Sequence, residues 1–451
     1  MRIGRNARGI AVASVALIAL AACGGGDDDD GGSNESDGGG GGGGGGATGE
    51  GVEIYGTDGN MGNALGEQFE GEDGALAGMR GTQPMTELSG DFRERLLEVD
   101  PELVDFNYAQ ETYDAVVITA LAAQRAGTSD ANVFKAYVNG ITSGGEKCDS
   151  FTACMDIIEA GGNPDYDGVS GPISFADPGE PAQGSYGVLS FTEDNSISED
   201  IEFVEVGDEG NASTDEGPAP AAPGATGDPL SIGYLLPETG DLSYLGPPEI
   251  AAFKLAIQEV NDAGGVLGAP VVEEGGDSGD ASTDTATQTV DRLLQAGVNA
   301  IVGAASSTVS LNVIDRITSA GVMMISPANT SDQFTAYPDN GLYFRTAPPD
   351  TLQAQALASL VAEAGPNVVG ILARNDSYGN GLAENTRNNL IAGGLAEDQV
   401  ELVIYDPTAA NFDAEVSQMV DLDPDAIIVI GFDESGRIIS GLNENGIGPQ
   451  R

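Results

Sequence analysis

The sequence predicts an α/β protein of two lobes, each built on a parallel sheet. Three observations predict it. The chain has 451 residues, more than one hydrophobic core accommodates. From 229 to 451, short apolar runs alternate with helical patterns that often end in glycine, the rhythm of successive βα units. A segment rich in Pro, Ala, Gly and acids, 207–228, separates that block from an earlier one over 52–206 and reads as a flexible linker.

In chain order, Arg2, Arg5 and Arg8 precede an apolar stretch, Ile10–Leu20, that is too short to cross a bilayer as a helix. Residues 1–22 therefore read as a signal peptide. The stretch ends Leu20-Ala21-Ala22-Cys23, the pattern of a bacterial lipobox, which makes Cys23 the expected lipidation site and first mature residue. Residues 23–51 are mostly Gly, Asp and Ser and cannot offset their ordering entropy by burial, so they read as a disordered tether. This predicts an exported protein, lipid-anchored on the outer face of the cell membrane. In an oxidising compartment Cys148 and Cys154 are expected to form a short-loop disulfide, since a metal pair would want more ligands nearby.

The first block predicts strands at Val52–Tyr55 and Leu76–Gly81, helices at Phe92–Val99, Tyr113–Ala126 and Asn132–Gly140, and β-segments at Gly168–Phe175 and Gly187–Thr192. The second opens with strand Leu230–Leu235 and helix Ile250–Asn261, closed by Gly264 and Gly265. Helix Asp284–Ala296, strand Ala300–Val302, helix Val309–Ala320 and strand Val322–Ser326 continue it. After Tyr343–Arg345 come helix Leu352–Ala364, strand Val368–Ala373, helix Gly381–Ala392, strands Val400–Tyr405 and Ala426–Ile430, and helix Ser435–Asn445. This series stops where another strand is due, and the first block begins with one. Joined end to start, the blocks give a plausible helix, loop and strand, so the chain reads as circularly permuted. The rival reading is a fusion of two half-domains.

Composition removes whole classes of function. The 72 acidic against 17 basic residues give a net charge of -55, which excludes nucleic acid as a partner. Histidine is absent, and with it the Ser/His/Asp and Cys/His nucleophilic systems and the usual imidazole base. No P-loop or other cofactor fingerprint occurs, so no enzyme, no cofactor and no metal are expected.

Several segments carry a resemblance: Gly240-Asp-Leu-Ser-Tyr-Leu-Gly246, Val302-Gly-Ala-Ala-Ser-Ser-Thr308, Ile325-Ser-Pro-Ala-Asn-Thr330, Phe344-Arg-Thr346, Asp376-Ser-Tyr-Gly379, Gly431-Phe432, Tyr55-Gly-Thr-Asp-Gly59 and Tyr113-Asp-Ala-Val116. Together they resemble the periplasmic amino-acid-binding proteins of the branched-chain type that serve ABC importers. The resemblance implies the type I periplasmic-binding fold, two Rossmann-like lobes joined by a hinge, in the order 229–451 and then 52–206. It implies a solute receptor that closes on an amino acid, an amide or a similar zwitterion and hands it to membrane permease subunits. A sensor module on the same fold is the alternative.

Site residues follow from both arguments. Ser306, Ser307 and Thr308 precede a helix, where hydroxyls and free N–H groups make an anion site for a ligand carboxylate, Ser307 first among them. Ala328 and Thr330 lie just past a strand, at the carboxyl edge of a sheet where open α/β folds bind ligands. By family position, Ala328 offers backbone groups and Thr330 its hydroxyl, Asp58 takes the ligand ammonium, Tyr378 and Tyr244 cap the ligand from the two lobes, and Phe432 and Tyr108 form apolar walls. Ala305 and Asn329 depart from the residues expected of branched-chain binders, which leaves ligand size open.

Overall fold

A computed structural model describes residues 51–449. The signal peptide, Cys23 and nearly all of the tether lie outside the described residues. No helix among the described residues is long and apolar enough to cross a membrane.

The strands run, in chain order, β1 (Glu53–Gly56), β2 (Arg80–Pro84), β3 (Glu146–Cys148), β4 (Pro164–Tyr166), β5 (Gln183–Ser190) and β6 (Glu202–Gly207) in the first block. The second block supplies β7 (Ser231–Leu236), β8 (Val272–Asp277), β9 (Ala300–Gly303), β10 (Met323–Ser326), β11 (Tyr343–Arg345), β12 (Val369–Arg374), β13 (Val400–Tyr405) and β14 (Ala426–Ile430). One lobe is a five-stranded sheet, β11-β10-β9-β7-β8, parallel throughout. The other is a seven-stranded sheet, β13-β12-β14-β1-β2-β5-β6, parallel from β13 to β2 and antiparallel beyond.

Both lobes draw on both blocks. β1 lies parallel beside β14, with Glu53 opposite Ala426 and Tyr55 opposite Ile428. Helix Ala109–Ala126 packs on helix Gly246–Asp262, and one continuous core joins Val116, Leu121 and Phe134 to Phe253, Val302 and Ile325. Strands β9, β10, β12 and β14 are buried residue for residue, which is why they read as uninterrupted apolar runs. Four connections cross between the lobes, at 85–89, 176–182, 346–349 and over 207–228, which leads from β6 to β7.

Several expectations need correction. The second strand starts at Arg80 rather than Leu76, because Gly74 and Gly78 take φ of +77° and +85° and hold the intervening residues in turns. Gly168–Phe175 is not a strand: the Val169 and Ser170 amides donate to the Asp114 carboxylate, at 3.1 and 2.8 Å, instead of to a neighbouring strand. The helix expected over Asn132–Gly140 is three short pieces, Ala131–Phe134, Lys135–Tyr137 and Val138–Ile141. The 207–228 segment is irregular but does not hang free, for the Ser213, Ala221 and Gly227 amides donate to the carbonyls of Phe175, Arg125 and Leu267. Cys148 and Cys154 are joined in a disulfide.

Candidate functional site

The two lobes face each other across a small buried cavity. Asp58, Tyr378 and Phe432 line it from the seven-stranded lobe, Ser307, Ala305 and Ala328 from the five-stranded one, and Tyr108 from the start of helix Ala109–Ala126. Each of these side chains is buried, so the cleft is closed.

On one wall, helix Ser307–Ser319 begins. Ser306 is its N-cap, its hydroxyl accepting from the Val309 amide at 3.4 Å. The amides of Ser307 and Thr308 have no intrahelical acceptor, so the helix start presents two donors and the positive end of its dipole. Asn329, which the sequence marks as a departure, does not contact the cavity. Its side-chain amide donates to the Ala304 and Ala305 carbonyls, at 3.0 and 2.8 Å, and shapes the loop before Ser306.

On the facing wall stands Asp58, just beyond β1. Its carboxylate accepts from Tyr378 Oη and Gln353 Nε2 on one oxygen and from Tyr108 Oη on the other, all at 2.7 Å. Burial pushes the carboxyl above its ordinary range, and the three donors pull it back. No basic residue lines the cavity, so a buried carboxylate faces it with hydrogen bonds but without a counter-charge. Tyr108 reaches Asp58 from a left-handed backbone, φ +59°, a conformation that is costly for a bulky residue and that clusters at functional sites.

The apolar walls are held from behind. Phe432 stacks on Tyr378 with ring centroids 5.2 Å apart, and the Arg374 guanidinium lies 3.5 Å from its ring centroid. Burial works against the Arg374 charge, but Glu434, Asp376 and Asp241 outweigh it and hold the guanidinium firmly protonated. Asp241 belongs to the opposite lobe, so its 2.9 Å ion pair with Arg374 clasps the cleft shut. Thr308 adds a second clasp, hydroxyl to hydroxyl with Ser377 at 2.7 Å.

Six of the eight ligand positions expected from the sequence thus line one cavity. Two do not. Tyr244 bridges the lobes instead, donating to the Gly59 carbonyl at 2.9 Å. Thr330 does not line the cavity; its hydroxyl is buried without a hydrogen-bond partner, and its carbonyl accepts from the Asp350 amide at 2.7 Å. Sequence reasoning missed Gln353, Leu242 and Leu245. Gln353 sits on a helix face three residues after Asp350, and only the hinge geometry brings it under Asp58.

Residues 229–451 match the periplasmic binding protein family. The Leu/Ile/Val-binding protein homolog 3 of Brucella melitensis is 26% identical over 214 residues, 47% of this chain and 56% of that protein. The Leu/Ile/Val-binding protein BraC3 of Rhizobium johnstonii is 28% identical over 215 residues, 47% of this chain and 57% of the relative. Among solved structures, the branched-chain amino acid transporter substrate binding protein LivJ of Streptococcus pneumoniae, in complex with isoleucine, is 27% identical. That likeness covers 49% of this chain and 62% of the other, with a TM-score of 0.43. The chain spans little more than half the length of the curated relatives it matches. The architecture is of two α/β lobes, each on a largely parallel sheet, and the relatives it matches are named as solute-binding proteins. Over residues 229–451 the chain is similar to the periplasmic binding protein family and to these Leu/Ile/Val-binding relatives.

Proposed function

We propose that this protein is the solute receptor of an ABC importer and closes its lobes on a single small α-amino acid. The observation that carries the reading is the opposition of charges across one closed cavity. Asp58 faces it from one lobe without a counter-charge, and the Ser307 helix start offers free amides from the other. A zwitterion satisfies both, its ammonium on Asp58 and its carboxylate on the Ser307 and Thr308 amides and the Ser307 hydroxyl. The cavity is small and closed. Its Leu242, Leu245, Ala305, Ala328 and Phe432 walls favour a short aliphatic side chain. The names of the Leu/Ile/Val-binding relatives point the same way.

The finer parts of the reading rest on sequence. Cys23 is the lipid anchor, residues 23–51 the tether that holds the receptor at the outer membrane face, and permease subunits the partner that takes the solute. The parallel pairing of β1 with β14 supports a circularly permuted order, 229–451 followed by 52–206. Titration of the purified chain with leucine, valine, alanine and glutamate, read by calorimetry, tests the ligand class. One aliphatic amino acid is expected to bind, and Ser307→Ala and Asp58→Asn each to weaken it by about 10- to 100-fold. Parental affinity in both variants would overturn the assignment of the cleft.

A further inference from the structure

A second, small cavity shares no lining residue with the binding cleft. Its walls come from three of the four interlobe connections: Thr86 from 85–89, Pro181 from 176–182, and Thr346 and Pro348 from 346–349. A chamber built this way changes shape whenever the lobes move, and an occupant that prefers one shape biases the lobe angle.

Its chemistry is one-sided, for no lining residue is basic. Glu111 reaches the wall from the first turn of helix Ala109–Ala126. It is 4% exposed, and no other residue among those described hydrogen-bonds to its carboxyl. Close to it lies Glu249, fully buried, with neither carboxyl oxygen partnered. Glu205, an exposed residue, adds a carboxylate to the lining. The remaining wall mixes acceptors such as the Gln183 side chain with prolines, which lack an N–H and offer apolar ring carbons. Buried carboxyls without partners are costly in a low-dielectric interior unless a cation or a proton meets them.

We propose that this hinge chamber is a second binding site, for a small organic ammonium ion anchored on Glu111, and that its occupancy is coupled to the angle between the lobes. The ammonium meets the acids and the short alkyl part meets the proline wall. An inorganic cation would satisfy only the first of these.

The test uses the full chain and ethylammonium chloride, with sodium chloride at equal ionic strength as reference. Ethylammonium is expected to raise the melting temperature by about 2 °C more than sodium does. Glu111→Gln should abolish the difference. Glu205→Lys, a surface change that leaves the interior alone, should reduce it, and Ser307→Ala in the other cleft should keep it. Small-angle scattering should show a change in radius of gyration on adding ethylammonium. Equal shifts with both salts, or an undiminished shift in Glu111→Gln, overturn the site. A specific shift with an unchanged radius overturns the coupling.

Discussion

Asp58 is useful because its surroundings are arranged around the charged form. Gln353 contributes a donor from the hinge helix, bonded to Asp58 and, at 3.4 Å, to the Thr82 carbonyl. Gln353→Leu keeps the volume, removes the donor and frees the carboxylate to turn. Ligand affinity is expected to fall roughly fivefold, the worth of about 1 kcal/mol, and calorimetry on the folded variant checks it. Glu111 is the opposite case. Burial, with Asp114 nearby, pushes its carboxyl up to about 8 from an ordinary 4.5. The folded state therefore binds a proton that the unfolded state has released, so this contribution is complete below about pH 4.5 and is lost as pH rises toward 8. Glu111→Gln cannot ionise and escapes that loss. The variant is expected to gain stability over the parent at pH 8, on the order of a few kcal/mol, and much less at pH 5. Denaturant titrations at the two pH values decide it, and an equal difference at both would contradict the argument.

At the scale of elements, legibility followed burial. β13 and β14 stand where the apolar runs put them, because Ala426–Ile430 is buried throughout and even the half-exposed Val400–Tyr405 is apolar at all but one position. β8 and β6 escaped notice for the converse reason. They are sheet-edge strands with exposed or half-exposed residues, and Val272-Glu-Glu-Gly-Gly-Asp277 and Glu202-Phe-Val-Glu-Val-Gly207 carry too little apolar pattern to read as strands. Helix Phe151–Glu159 was missed although Ser150 caps it, its hydroxyl accepting from the Ala153 amide at 3.3 Å. The site was legible where a side chain's position followed from a strand end or helix start, as for Asp58 and Ser307. It was not where folding decided, as for Thr330 and Tyr244. The disulfide belongs to this scale too, since it ties β3 to helix Phe151–Glu159 across a separation of six residues. So short a loop limits the entropy removed from the unfolded chain, and Cys148→Ser with Cys154→Ser is expected to cost about 2 kcal/mol. Ligand affinity should not change, because neither cysteine lines the cleft. Chemical denaturation and calorimetry read the two quantities separately.

At the scale of the molecule, neither block can fold by itself. Residues 229–449 contain β12, β13 and β14 but lack β1, β2, β5 and β6, so the β1 side of β14 would be an open, fully apolar edge. Helix Gly246–Asp262 would lose its partner helix, Ala109–Ala126, whose residues are buried from Ala109 to Arg125. The connection between the blocks, by contrast, runs over the surface and is held by few hydrogen bonds. A protease site placed between Pro220 and Pro223 should therefore be cut without unfolding the protein. The two fragments are expected to co-elute under native conditions and to keep the ligand-dependent rise in melting temperature, while either fragment expressed alone should be insoluble or unfolded by circular dichroism. Two separately folded fragments after cleavage would mean that the blocks are independent bodies, and Asp58 and Ser307 would then have no reason to share a ligand.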